Sequence, residues 1–236
     1  MSTLVTYSLN AGVATLTLDD GKANVMSPAM LAELNAALDQ VEKDNAALLL
    51  TGRKGMFSGG FDLKMLAVGG VAAYDMLMTG FRTAERLLAF PAPVVVACNG
   101  HALAMGVFLV ASADYVIAAE GPYKIGANEV AIGLSMPKTV TEICRSRLVP
   151  AHFNRALIQS EIYTPADAIA AGFVDRVVPE ADLARESQAV AARLAKLNRH
   201  AYAATKHRVR DPALKAVRAG LETDEKQLRL FMPAQR

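Results

Sequence analysis

Phe57-Ser58-Gly59-Gly60-Phe61-Asp62-Leu63 and Asn99-Gly100-His101-Ala102-Leu103-Ala104-Met105-Gly106 decide how this chain is read. Each follows an apolar, strand-like run, Leu48-Leu49-Leu50-Thr51 in one case and Val94-Val95-Val96-Ala97-Cys98 in the other. Each precedes helix-like sequence, so each can present unpaired backbone N–H groups at a helix start. Two such turns facing one another can form a site for a developing oxyanion.

Working outward, Leu4 to Leu9, Asn10-Ala11-Gly12 and Val13 to Leu18 have the alternation of a β-hairpin. Ser27-Pro28 pairs an N-cap with a first-position proline, and Leu31, Leu34, Leu38 and Val41 then recur at helical spacing, predicting a helix to Lys43. A second helix is expected from Val71 to Phe90, ended by Pro91 and Pro93, and a third from Ala104 to Ala111. The strand Asp114 to Ala119 and the short extended piece Tyr123-Lys124-Ile125-Gly126 follow. This alternation predicts a layered α/β core with parallel strands. From Lys138 helices dominate, expected at 138–147, 151–159, 165–171 (Thr164 as cap, Pro165 first), 180–197 and 212–230, with one strand from Phe173 to Val178. The chain divides on this reading into an α/β core, 1–190, and a helical C-terminal segment, 191–236.

With 236 residues, 53% hydrophobic and 20% charged, the chain has the composition of an ordinary globular protein rather than a disordered one. Its 25 basic and 23 acidic residues leave a net +2, too even a balance to imply a nucleic-acid or membrane partner. Cys98 and Cys144 form neither a disulfide framework nor a metal knuckle, which suits a reducing compartment. The start Met1-Ser2-Thr3-Leu4-Val5 lacks the pattern of a signal peptide, and a cytoplasmic location is the expectation. The long apolar stretch Ala102 to Ala119 is interrupted by Ser112 and Asp114 and reads as a buried helix followed by a buried strand.

Several chemistries drop out. No two of the sixteen glycines stand at i and i+2, so the dinucleotide fingerprint is absent, and Gly21-Lys22 lacks the rest of a phosphate-binding loop. No serine sits in G-x-S-x-G and no histidine in H-E-x-x-H. Cys98 and His101 at a strand end read as packing, and no metal is expected.

The ordered set of apolar strand, Phe-Ser-Gly-Gly-x-Asp-Leu-Lys, long helix, Pro-x-Pro-Val-Val-x-Ala-x-Asn-Gly and later Gly-x-Asn-Glu-Val-x-Ile-Gly resembles the crotonase (enoyl-CoA hydratase/isomerase) superfamily. The resemblance runs from residue 3 to residue 180 and includes Thr164-Pro165-Ala166-Asp167-Ala168 and Ala171-Gly172-Phe173-Val174-Asp175. It implies a spiral of ββα units with a helical C-terminal trimerisation region, hence a homotrimer or a dimer of trimers. It also implies an acyl-CoA thioester substrate, whose enolate oxygen is held by two backbone N–H groups. By motif position these belong to Phe61, where alanine is usual, and Met105, within Ala104-Met105-Gly106 where three glycines are usual. Both residues keep the N–H while changing the shape of the acyl channel, and Asp62 reads as an N-cap.

Hydratases of the superfamily have two glutamates that hold and activate water. Here the first position, two residues after Gly106, is Phe108, and a phenyl ring transfers no proton. The second retains Glu129, with apolar Val130, Ile132, Phe108 and Met105 expected around it to raise its pKa by desolvation. One carboxylate beside an oxyanion site suffices to shift a double bond, and the pattern resembles the Δ3,Δ2-enoyl-CoA isomerase branch. By the same resemblance Lys22, Ala23, Gly59, Leu63 and Lys64 hold the coenzyme A portion, which is part of the substrate rather than a resident cofactor. Other members' chemistries stay open: hydratase, thioesterase, decarboxylase or dehalogenase, or a non-catalytic acyl-CoA-binding or RNA-binding role. The basic run Lys206-His207-Arg208-Val209-Arg210 reads first as a solvated helical face and second as a reach toward a CoA phosphate. In the last helix, the stripe Leu214, Val217, Leu221, Leu228 and Phe231 needs a surface to pack on, either its own core or a neighbour.

Overall fold

The computed structural model describes residues 3–231 and, of Phe231, only the backbone. Val5–Asn10 (β1) and Val13–Leu18 (β2) make the expected antiparallel hairpin. Ala47–Gly52 (β3), Val94–Cys98 (β5), Tyr115–Ala119 (β7) and Arg176–Val178 (β9) join it in parallel in the order β1-β2-β3-β5-β7-β9. Because side chains alternate along a strand, Leu48, Leu50, Val94 and Val96 enter the main core while Leu49, Val95 and Ala97 face the other way. That second face is covered by Leu183 and Ala191 of Glu180–Ala195 (α8), a helix that runs across residue 190. Pro28–Lys43 (α1) starts where Ser27 accepts the Met30 N–H, and its Leu31, Leu34, Leu38 and Val41 are all buried.

A second sheet, absent from the sequence reading, lies within the glycine motifs. Gly55–Ser58 (β4), Gly100–Leu103 (β6) and Ile125–Gly126 (β8) pair in parallel, so residues of β4 and β6 expected in turns are strands, while β8 falls in the expected extended piece. Strands of four, four and two residues, two of them starting with glycine, are too short for alternation to register. Three successive ββα units result. β3 and β4 lead into Leu63–Val68 (α2) and Gly70–Ala89 (α3), and β5 and β6 lead into Met105–Ala111 (α4). β7 and β8 lead into a 3₁₀ turn, Val130–Ile132, and Lys138–Arg147 (α5). Asn99 cross-links the first two units: its amide donates to the carbonyls of Gly52 (2.6 Å) and Arg53 (3.0 Å) and accepts the Gly52 N–H.

Pro150–Leu157 (α6) and Pro165–Ala171 (α7), the latter capped by Thr164, follow as expected. Two expectations need correction. The strand expected from Phe173 begins at Arg176, since Phe173 and Val174 are buried in the main core. The last helix, expected from 212, is already under way at Arg199 and continues through Pro212 to Phe231 (α9). Proline removes one backbone donor there, and contacts on both sides of it hold the helix. Before it, Lys206 and Arg210 pair with Asp114 at 2.7 and 3.0 Å, so these members of the basic run are spent inside the fold. After it, the buried Asp224 accepts the N–H groups of Lys138 and Thr139 (both 2.8 Å) and the Thr139 hydroxyl (2.6 Å). Asp224 thus caps α5, whose own N-cap position, Pro137, carries no capping side chain. Leu214 and Val217 are buried, and Leu221 and Leu228 pack on the same core, so the stripe is seated within the chain. Its last member, Phe231, lies outside the described side chains. Among the described residues no helix is long and apolar enough to cross a membrane.

Replacing Asp224 by alanine leaves the α5 N-terminus uncapped and buried. We expect a loss of about 2 kcal/mol of unfolding free energy in urea titrations, with a smaller loss for Asp224→Asn.

Candidate active site

The first turn is clamped from beneath. The buried Asn24 donates to the carbonyls of Leu18, Met56 and Phe57, its own carbonyl accepts the Ser58 hydroxyl at 2.7 Å, and Gly59 N–H reaches the Ala23 carbonyl at 2.8 Å. Met26 donates to the Gly60 carbonyl at 2.8 Å and forms a parallel bridge with Phe61. In that register the Phe61 N–H points away from Met26, and it has no acceptor among the described residues. Asp62 then accepts the N–H groups of Lys64 and Met65, as an N-cap should, and sets the direction of α2.

The second turn meets the first at Gly60. This residue has φ +97°, and a Cβ there would lie 2.7 Å from the Ala104 Cβ and 3.3 Å from the Met105 nitrogen. Only glycine permits that approach. Ala104, at the N-cap of α4, is held at φ 48°, ψ −125°, a conformation costly for a residue with a Cβ. Its N–H is spent on the Gly126 carbonyl at 3.2 Å. Met105 opens the helix with an N–H that has no acceptor among the described residues. Gly106 lets α4 sit directly on β4, since a Cβ there would lie 2.5 Å from the Ser58 carbonyl oxygen. Two free main-chain donors on touching turns, each leading into a helix, can hold an oxygen that gains negative charge.

Glu129 comes from the third unit, three residues beyond Gly126, which is in register with Leu103 of β6. Its side chain is buried, and Oε2 has no partner among the described residues. Burial pushes its pKa from the usual 4.5 up to about 7. The expected enclosure needs correction: Val130 and Ile132 are 44% and 49% exposed, because the 3₁₀ turn carries them outward. Cys144 of α5 is close enough to Glu129 that, after burial, the carboxylate is the second cause of that thiol's raised pKa. Phe108 is buried in the main core, one turn into α4 from Met105, and offers no titratable group.

The structure therefore draws Ala23, Gly59, Phe61, Met105 and Gly106 together and sets Glu129 three residues beyond the end of the adjoining strand β8. Lys22, Leu63 and Lys64 are exposed around them, with Leu63 and Lys64 in the first turn of α2. The sequence reading missed Gly80 of α3, on which the Phe61 ring rests, and the strained Ala104. The departure from three glycines at 104–106 was the available signal for the strain. Nothing marked Gly80, whose partner is distant in the chain. Among the described residues no group of His, Cys, Asp and Glu could hold a metal ion.

Parallel ββα units that deliver two main-chain donors and one buried carboxyl to a common edge define an α/β fold of the crotonase class. The chain belongs to the enoyl-CoA hydratase/isomerase family, whose profile matches residues 8–235. It is similar to an enoyl-CoA hydratase/isomerase family protein from Pseudomonas syringae, with 46% identity and a TM-score of 0.93 over 95% of this chain and 98% of that one. An enoyl-CoA hydratase from Mycobacterium marinum is 41% identical with a TM-score of 0.91, over 95% and 99% of the two chains. Human mitochondrial enoyl-CoA delta isomerase 1 is 30% identical over 88% of this chain and 70% of its own length. Hydratase and isomerase names both occur among the relatives, so kinship leaves the reaction to the residues of the site.

Strain at Ala104 is measurable. Ala104→Gly relieves a backbone cost of about 1–3 kcal/mol at the expense of about 0.5–1 kcal/mol of added chain entropy. A net gain of about 1 kcal/mol in thermal or urea unfolding is the expected outcome.

Proposed function

We propose that the chain converts 3-enoyl-CoA thioesters to trans-2-enoyl-CoA thioesters with Glu129 as the single acid and base. The observation that supports this most is a buried carboxyl with an unpartnered oxygen and a pKa near 7, combined with a phenyl ring at Phe108. In the reaction Glu129 takes a proton from C2. The C2–H electron pair moves toward the thioester carbonyl, whose oxygen becomes negative and accepts from Phe61 N–H and Met105 N–H. As the electrons return, a double bond forms between C2 and C3, the one between C3 and C4 opens, and C4 takes the proton back from Glu129. No water is consumed. Ala23 and Gly59 supply main-chain contacts for the coenzyme A portion, while Lys22 and Lys64 supply charge for its phosphates. Assembly as a homotrimer or a dimer of trimers belongs to the same reading and rests on family resemblance, since the α9 stripe is satisfied within the chain.

Glu129→Gln keeps the shape and removes the base. We expect turnover of 3-enoyl-CoA to fall below detection while thioester binding changes little, and wild-type hydration of 2-enoyl-CoA to be negligible. Unaltered turnover in the variant, or efficient hydration by the wild type, sinks the proposal.

The base must be ionised to act, so kcat/KM should rise with pH through a single step near 7 and then level off. Stability should run the opposite way. A folded-state pKa above the unfolded value means that the folded chain keeps a proton between pH 4.5 and about 7 that the unfolded chain has lost, so stability falls as pH rises through that window. Glu129→Gln should therefore stabilise the protein at pH 8, by at most about 3 kcal/mol, and not at pH 4.5.

A further inference from the structure

The side chains of the two donor residues meet on one spot of α3. A Cβ on Gly80 would lie 2.4 and 2.5 Å from Cε1 and Cζ of the Phe61 ring and 3.6 Å from the Met105 sulfur. The ring also packs edge-on against Phe81, with centroids 5.7 Å apart and planes at 79°. Carbon atoms in contact need about 3.5–4.0 Å, so no methylene fits between the ring and the helix. The helix cannot yield, since Met76, Leu77, Met78 and Phe81 are all buried in the main core. The Phe61 backbone is fixed by its bridge to Met26. What can move is the half-buried ring, and moving it breaks its packing on both Gly80 and Phe81.

We propose that the Phe61 ring, seated on Gly80, limits acyl-chain length and makes this a site for short-chain acyl-CoA thioesters. The inference rests on the reading that the thioester carbonyl lies between the Phe61 and Met105 N–H groups. A short acyl tail ends before it reaches the ring. A longer one leading toward α3 must turn the ring out of its seat. The roles of Phe61 separate cleanly: its main chain donates to the oxygen, and its side chain closes the channel. Gly80 takes part by absence, because any side chain there would deny the ring its place.

Saturated thioesters test this without any turnover. Hexanoyl-CoA and decanoyl-CoA are titrated by calorimetry onto wild type, Phe61→Ala and Phe61→Leu, all of which keep the backbone N–H. An open apolar channel gains about fourfold in affinity per added methylene, so it favours decanoyl-CoA. We expect wild type to bind hexanoyl-CoA at least tenfold more tightly than decanoyl-CoA, and that ratio to fall at least tenfold in Phe61→Ala, with Phe61→Leu intermediate. The wild-type ratio needs no variant to fold. Equal or tighter decanoyl-CoA binding by wild type, or a ratio unchanged in the variants, overturns the chain-length role and leaves the acyl-CoA reading standing. Failure of wild type to bind either ester overturns both.

Discussion

The close approach of two backbone turns at Gly60 is the constraint on which the rest of the site depends. Its origin is the parallel pairing of β4 and β6, which brings two strand C-termini to one edge, where each chain then turns into a helix. Met105 N–H is free because it opens α4, and Phe61 N–H is free because the bridge to Met26 turns it away from that residue, so the pairing brings two free donors to touching turns. The interactions beneath serve to hold that edge shut. Asn99 ties the end of β3 to the end of β5, and Asn24 ties the 20–24 loop to β4. Gly106 lets α4 rest on Ser58, and Ala104 bears the strain of the tight second turn.

The same geometry explains why the carboxyl comes from the third unit. β8 pairs in parallel with β6, so its C-terminal end lies at the same edge, one strand further along. The Ala104 N–H bond to Gly126 links the strained turn to the segment that leads to Glu129. The successive units thus contribute Phe61, Met105 and Glu129 in turn. Glu129 is costly to the fold, since a buried carboxyl without a full set of partners resists ionisation, and the proposed reaction draws on that same property. Capping of α5 by Asp224 steadies the helix that carries Cys144 beside it, so α9 supports the site without entering it.

Much of this was legible because long periodic elements announce themselves. The hairpin, α1, α3 and α7 came from alternation, helical spacing and capping pairs such as Ser27-Pro28 and Thr164-Pro165, all local signals. The strands β4 and β6 did not, because elements of four residues containing glycine have no period to detect, and β8 was read only as an extended piece without a sheet to join. The three ββα units accordingly recur in space with no recognisable repeat in sequence. Pro212 concealed the continuity of α9, since helix-breaking is a local penalty and the Asp114 and Asp224 contacts that outweigh it are remote. Val130 and Ile132 misled in the opposite sense. Apolar residues beside a buried glutamate suggested an enclosing wall, but a 3₁₀ turn points them to solvent and leaves burial to elements distant in sequence.

The proposed reaction places its oxyanion donors on the main chain, which has a consequence for how such a site can vary. A side-chain donor is lost when its residue changes, whereas a backbone N–H survives any substitution except proline. On that reading position 61 is free to carry a large ring, provided α3 offers a glycine to receive it. Position 105 is free to carry methionine, whose flexible thioether fills the remaining gap at the same glycine. In the proposed reaction position 129 has no such freedom, because the proton is carried by its side chain. Position 60 has none either, because its backbone occupies a conformation and a space that exclude a Cβ. In the proposed reaction, oxyanion binding and channel shape thus rest on different atoms of the same residues, so one can change while the other is retained.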